Sequence, residues 1–286
     1  MRLANNKVFV VVLAVAPLLC VLGPVVASAE RLPIKTYTSA DGLARDYVTR
    51  IVQDSKGFLW FCTTEGLSRF DGYKFTNYGT DQGLASRQVN DFLETRTGVY
   101  WAATDKGLCR FIPDAVPQGN PVGLKGNPPR FAVYYLGDEA GAISIRRICE
   151  DHAGTIWCAT HAGLYRFDQI GGKPVFSFVN VIQPAQMLDK LSIESVTLDR
   201  SGSIWVIAQS GIHRLRPDGT VERYTSEEGL PEGLSQALLA DRDGRIWVGS
   251  ARGLYQLVPD PKPHHSIVAR LYTVKDGLAA NDVLSL

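Results

Sequence analysis

The sequence predicts an all-β fold, a β-propeller of four-stranded antiparallel blades. Three observations carry that prediction. All five tryptophans, Trp60, Trp101, Trp157, Trp205 and Trp247, sit in one recurring motif. Glycines hold fixed places around them, three residues before (Gly57, Gly98, Gly154, Gly202, Gly244) and six after (Gly66, Gly107, Gly163, Gly211, Gly253). Successive tryptophans lie 41, 56, 48 and 42 residues apart, a spacing at which repeats build propellers, solenoids or arrays.

Each repeat opens on a strand-type segment: "YVTRIVQD", "QVNDFLET", "SIRRICED", "SIESVTLD", "LSQALLAD". These segments are rich in β-branched or apolar residues and end at a turn signal. In four repeats the turn is Asp-x-x-Gly, beginning at Asp54, Asp151, Asp199 and Asp241; the second repeat has Thr95 instead. The Asp bonds nearby backbone N–H groups, and the Gly takes a positive φ. A second strand carries the tryptophan, as in "FLWFCTT" and "TIWCATH". Both its faces are mostly apolar, so both are expected to be covered. The second glycine then turns the chain inwards into a third strand, "GLSRF" and its kin. A more polar fourth strand closes the unit: "YKFTNYG", "RFAVYYL", "PVFSFVN", "TVERYTS", "SIVARLYTV". Four short strands per repeat make one blade. The tryptophan is large enough to fill the wedge between neighbouring blades.

The ends fit the same scheme. Ile34 to Thr38 reads as an outer strand without a blade of its own, and "LYTVKDGLAANDVLSL" opens a sixth repeat and stops before a sixth tryptophan. The expectation is about five blades plus the start of a sixth, the N-terminal part of a seven-bladed ring over residues 30–286. Ahead of it, Arg2 and Lys7 precede an apolar run from Val8 to Ala27, then Ala27-Ser28-Ala29. This reads as a secretory signal over residues 1–29, cleaved after Ala29. An uncleaved anchor is the alternative, since the run approaches the ~20 residues a membrane span needs. Cleavage is the preferred reading because Pro17 and Gly23-Pro24 interrupt the run.

The chain is 45% apolar, enough for one large domain with a core, and its net charge of +1 argues against a nucleic-acid groove. Cys62, Cys109, Cys149 and Cys158 do not share a repeat position. They read as small buried strand residues, although Cys149 and Cys158 could pair across one hairpin. The histidines, His152, His161, His213, His264 and His265, are scattered, with no metal spacing. No nucleophile–base arrangement and no cofactor motif is visible.

The unit D-x-x-G-x-[LI]-W-x-x-T-x-x-G-L-x-R-F-D, followed by Y…GL…V, resembles the two-component regulator propeller repeat. The resemblance covers Pro33 to Leu286 and recurs five times in register. It departs from the pattern at Thr95, Ile212, Gln256, Ala208 and Ser250. The resemblance implies an exported, periplasmic, non-catalytic sensor domain. It also implies downstream signalling domains, such as a membrane helix and a histidine kinase, that this chain does not contain.

Candidate binding residues come from the turns. Loops leading into each first strand share a face with the turns between strands two and three. Those turns vary in chemistry, whereas the Asp-x-x-Gly turns on the other face are uniform. A face of constant geometry and varied polarity is where a ligand site is built. Arg45, Arg87, Asp105, Lys106, His161 and Arg252 are the candidates, for a small polar ligand such as an oligosaccharide. Arg69, Arg110, Arg166 and Arg214 recur nine residues after tryptophan and read as structural. Arg69, Arg166 and Arg214 are expected to fork onto Asp54, Asp151 and Asp199.

Two other classes compete. A propeller enzyme of the streptogramin-lyase or glycosidase type is one, and the turn at Asp241 is similar to a sialidase Asp-box. A sialidase would need three clustered ligand arginines, whereas most arginines here are locked to the repeat. A protein–protein scaffold is the other class. N-terminal sequencing of periplasmic material is expected to begin at Glu30. Recovery of intact Met1 in the inner membrane would establish an anchor instead.

Overall fold

The computed structural model describes residues 35–113, 130–137, 143–170, 173–181, 192–230, 235–258 and 266–286. Residues 1–29, read above as a secretory signal, and Ile34, His264 and His265 lie outside the described residues. Tyr37–Leu286 form one compact unit. Blade 1 comprises strands Val48–Gln53, Leu59–Thr63, Gly66–Phe70 and Phe75–Tyr78. Blade 2 comprises Val89–Glu94, Tyr100–Thr104, Gly107–Phe111 and Phe131–Tyr134, and blade 3 Ile145–Glu150, Ile156–Thr160, Gly163–Ile170 and Lys173–Val179. Blade 4 comprises Ile193–Leu198, Ile204–Ala208, Gly211–Leu215 and Val221–Tyr224. Blade 5 comprises Ser235–Ala240, Ile246–Ser250, Gly253–Leu257 and Val268–Tyr272. Every sheet keeps the chain order of its strands, so the fold is a five-bladed β-propeller. First strands of successive blades touch one another, which puts them innermost. The second glycine therefore carries the chain outwards, not inwards as its position suggested.

The turn chemistry follows the expected roles. Asp54 Oδ1 accepts from the Lys56 and Phe58 N–H groups at 3.0 and 2.9 Å, and Gly57 has φ 86°. The second glycine has a different reason. At Gly66 a Cβ would come within 2.4 Å of the Tyr78 carbonyl oxygen. Only glycine lets the third strand start that close to the fourth.

The tryptophans fill the wedges. Trp60 stacks on Phe92 of blade 2 at 4.4 Å between centroids. Trp101 meets Phe167 of blade 3 edge-on at 5.2 Å. Trp157 packs with Ile204 and Val206 of blade 4, and Trp205 with Ile246 and Val248 of blade 5. Trp60 and Trp205 are 1% and 0% exposed. Trp247 is only half-buried and lies against Tyr272 of its own blade; no described blade follows it.

A repeated segment, Thr-x-x-Asp/Glu-Gly-Leu from Thr38, Thr225 and Thr273 and Gly-x-x-Gln-Gly-Leu from Gly79, forms a single 3-10 turn. Thr225 caps Ser226–Glu228, Glu228 reaches back to the Thr225 N–H at 2.7 Å, and Gly229 ends the turn in the left-handed region. This is a capping box. It seats Leu43, Leu84 and Leu230 in the core. Thr38 belongs to such a turn, over Ser39–Asp41. Residues 35–38 are accordingly not the expected outer strand: Tyr37 instead packs on Phe70 and Phe75 of blade 1 at 4.9 and 5.7 Å. The sixth-repeat sequence forms the corresponding turn at Val274–Asp276. The tail then runs past Ser250 of blade 5, to whose carbonyl Val283 N–H donates, and ends where Arg50 of blade 1 donates to the Leu286 carbonyl.

Removing a wedge leaves a cavity between two sheets. Trp205→Ala should cost about 3–5 kcal/mol in denaturant melts, and Trp247→Ala about 1–2 kcal/mol, near the general mean for substitutions. Equal costs at the two sites would contradict the wedge.

Candidate functional site

The first strand of every blade has a polar residue eleven positions before its tryptophan: Thr49, Asn90, Arg146, Glu194 and Gln236. In blade 1, Val48 pairs with Thr63 and Arg50 with Cys62, so Thr49 is skipped by the ladder. The other four residues are skipped in the same way. Each is a β-bulge, a device that re-aims a side chain. All five side chains line one cavity of about 750 Å³, together with Tyr47, Asp105, Ser144, Arg147, His161 and Leu284 among others. Residues of the turns between strands two and three lie there, so this is the face expected to bind.

Hydrogen bonds hold the cavity wall in place. Asn90 Nδ2 donates to Asp105 Oδ1 at 2.8 Å and to the Ile145 carbonyl at 2.9 Å, tying blade 2 to blade 3. Ser144 Oγ also donates to Asp105, at 2.8 Å. Arg146 forms an ion pair with Glu194 of blade 4 and donates from Nε to His161 Nε2 at 3.0 Å. His161 Nδ1 meets Ser192 Oγ at 3.1 Å, and that hydroxyl donates to Glu194 Oε1 at 2.8 Å. Deeper, Arg50 Nε pairs with Asp91 at 2.7 Å, and Asp91 accepts from the Ile148 N–H at 3.0 Å. Arg147 donates to the Asn90 carbonyl at 2.7 Å. Burial lowers its pKa, while the Asp91 carboxylate works the other way. The wall thus presents amide, hydroxyl, guanidinium and carboxylate groups in prearranged positions, suited to a polar ligand with many hydrogen-bonding groups.

Two of the sequence-predicted residues, Asp105 and His161, line this cavity. Arg87 faces Glu65 across 3.5 Å on the surface. Arg45, Lys106 and Arg252 are exposed and outside the lining. Sequence reasoning missed the bulge residues. The signal was present, as five polar residues at one register position of otherwise mixed strands, but only pairing shows that they are skipped.

On the opposite face the expected Arg–Asp forks form once. Arg214 Nη2 reaches Asp199 Oδ2 at 3.1 Å, but Arg166 pairs with Asp168 at 2.7 Å and Arg69 lies over the Phe58 ring at 4.7 Å. The aspartates have another partner. Trp60, Trp157, Trp205 and Trp247 donate from Nε1 to Oδ2 of Asp54, Asp151, Asp199 and Asp241 at 2.8–2.9 Å. The four cysteines are free thiols, and burial pushes the Cys109 pKa up to about 11. Among the described residues, no three His, Cys, Asp or Glu side chains are grouped to hold a metal. Nor is any described helix long and apolar enough to cross a membrane.

The family model described as two component regulator propeller matches residues 42–65 and 229–252. No curated protein matches the chain. Solved structures share its fold. One is the extracellular domain of a B. thetaiotaomicron protein assigned as the hybrid two component system BT3049. It is 20% identical, with 81% of this chain and 29% of that one covered and a TM-score of 0.62. A second is the extracellular domain of a B. thetaiotaomicron protein assigned as the one component system BT4673, at 18% identity, 83% and 37% coverage and TM-score 0.54. A third is virginiamycin B lyase from Staphylococcus aureus, at 15% identity, 74% and 67% coverage and TM-score 0.54. The chain spans about a third of the length of the first two.

One histidine away from the cavity makes stability depend on pH. His213, in the third strand of blade 4, is 1% exposed. Burial, aided by the nearby Arg223 charge, lowers its pKa from 6.5 to about 4. A histidine held neutral in the fold contributes stability that is full above pH 6.5 and is lost as pH falls toward 4. The loss should reach about 2–3 kcal/mol. Denaturant melts of His213→Leu should show a flatter profile across this window, and an unchanged slope would assign the pH dependence elsewhere.

Proposed function

We propose that this chain is the ligand-sensing propeller of a bacterial two-component signalling protein, exported to the periplasm, binding a small polar ligand without turning it over. The cavity with one bulged polar residue from each of the five blades carries the reading. A ligand there contacts all five blades at once, so its binding energy is available to shift how the blades sit. Such a shift is the physical input a downstream signalling domain requires. An oligosaccharide suits the lining, because paired charged groups, Asn90, Gln236 and Thr49 offer donors and acceptors without a dominant net charge. The resemblance to extracellular domains of two-component systems and the N-terminal export segment support the periplasmic side. The non-catalytic reading rests on His161, which has partners on both ring nitrogens.

The test is a thermal-shift screen of oligosaccharides on the full chain, followed by calorimetry of any hit. Gln236→Ala should weaken a hit at least tenfold with little change in the unliganded melting temperature, whereas Thr49→Ala should also lower that temperature, because Thr49 Oγ1 donates to the Cys62 and Val89 carbonyls at 3.1 and 3.0 Å. The surface set Arg45→Ala, Arg87→Ala, Lys106→Ala and Arg252→Ala should change affinity by less than about twofold, as surface sites away from a contact do. The opposite pattern would move the site to the rim, and conversion of a bound saccharide would favour a propeller enzyme.

A further inference from the structure

Blade 2 differs from its four sisters at one point on the opposite face. Where they have an aspartate, it has Thr95. Thr95 performs half of the aspartate's work: its Oγ1 accepts from the Val99 N–H at 3.0 Å and sits 3.1 Å from Thr97 Oγ1, holding the turn. The other half is left undone. Among the described residues, Trp101 Nε1 has no acceptor, whereas the other four indoles each donate to a carboxylate oxygen at 2.8–2.9 Å. Arg110, paired across the strands with Trp101, likewise has no carboxylate partner among the described residues. Trp101, Thr95, Thr97 and Arg110 line a cleft of about 450 Å³ between blades 2 and 3.

Two arginines, Arg110 and Arg166, and two carboxylates, Glu150 and Asp168, line the cleft; among the described residues the ion pairs leave Arg110 without a carboxylate, because Glu150 is taken by Arg96 from outside the lining. Arg166 is paired with Asp168 at 2.7 Å. The Glu150 carboxylate accepts from the Arg96 N–H at 2.8 Å and faces its guanidinium at 3.5 Å. Arg110 remains. Blade 4 shows what this constellation holds when complete. There a single oxygen, Asp199 Oδ2, accepts from Trp205 Nε1 at 2.8 Å and from Arg214 Nη2 at 3.1 Å.

We infer that the cleft between blades 2 and 3 is a second binding site, for a small molecule bearing a carboxylate, with the carboxylate taking the place that an aspartate side chain occupies in the sister blades. One carboxylate oxygen accepts from the Trp101 indole and the Arg110 guanidinium, and the other from the Thr95 or Thr97 hydroxyl. A bound carboxylate gives the Trp101 indole N–H the acceptor that the described residues do not supply and provides the counter-charge for Arg110. The cleft is larger than acetate requires, so it admits a substituent beyond the carboxylate. The site is on the face opposite the bulge-lined cavity and does not depend on the function proposed for that cavity.

The experiment follows the five tryptophan indole N–H resonances of the 15N-labelled full chain while sodium acetate replaces sodium chloride at constant ionic strength, with sodium phosphate as a separate arm. One indole resonance should move with acetate and saturate, and Trp101→Phe should delete that same resonance. Thr95→Asp supplies the carboxylate from within the chain. It should raise the melting temperature without acetate and abolish the acetate response. Arg110→Gln should weaken the apparent acetate affinity at least tenfold. If Trp101→Phe does not fold, the resonance is assigned as the one most displaced by Thr95→Asp. No selective movement of one indole, or a Thr95→Asp variant that responds as the parent does, would overturn the site. A phosphate response stronger than that of acetate would overturn its carboxylate specificity.

Discussion

One hydrogen bond organises four of the five blades, from a tryptophan indole to an aspartate six residues earlier. The aspartate uses its two oxygens for two jobs. Oδ1 closes the hairpin between the first and second strands by accepting backbone N–H groups, and Oδ2 accepts from the indole. A buried tryptophan N–H without an acceptor costs free energy, and here a carboxylate meets it in four blades. The bond therefore joins a local event, the shape of a tight turn, to a long-range one, the packing of one blade on the next. In blade 4 burial raises the Asp199 pKa, but hydrogen bonds from Ser201, Trp205 and Ser203, with the Arg214 charge, outweigh it and hold the carboxyl below the usual range. The carboxylate is ionised and can accept on both oxygens whenever the fold needs it.

Because that frame is anchored on one face, the other face is free to vary. The bulges lie near the start of each first strand, between its first and second pairs with the second strand. A bulge inserts a residue without changing the register of the rest of the strand. Residues from Thr49 to Gln236 can thus differ in size and charge from blade to blade while the tryptophan spacing stays constant. The same economy appears in the 3-10 turns, where Thr225 and Glu228 satisfy the local backbone and leave Leu230 to fill the core.

Much of the frame was legible in the sequence, and most of the site was not. The tryptophan and glycine spacings are local, so the blades, their strands and the role of the first glycine could be read from residues within one repeat; the second glycine's direction and its close approach to the fourth strand could not. Arg87 and Lys106 looked like ligand groups because charged turn residues face solvent, but exposure does not give direction, and Arg87 faces Glu65. Thr49 and Asn90 looked like ordinary strand residues, since a bulge exists only relative to the neighbouring strand. Asp54 and Asp151 were assigned to arginines by charge alone. The indole is nearer and fixed by the strand, whereas a long arginine side chain is free to find Asp168 or the Phe58 ring instead.

Thr95 shows how a single departure from a repeat acquires physical meaning. Judged by the turn alone, threonine for aspartate is mild, since a hydroxyl accepts the same backbone N–H. Its consequence falls across the hairpin, on Trp101 and Arg110, which in a complete repeat share the second carboxylate oxygen. The wedge itself survives, because Trp101 still packs on Phe167 and Tyr134 at 5.2 and 5.6 Å. Apolar packing and polar satisfaction are therefore separable in this fold. The first closes the blades on one another, and the second decides which wedge is sealed by the chain and which presents donors to a molecule from outside.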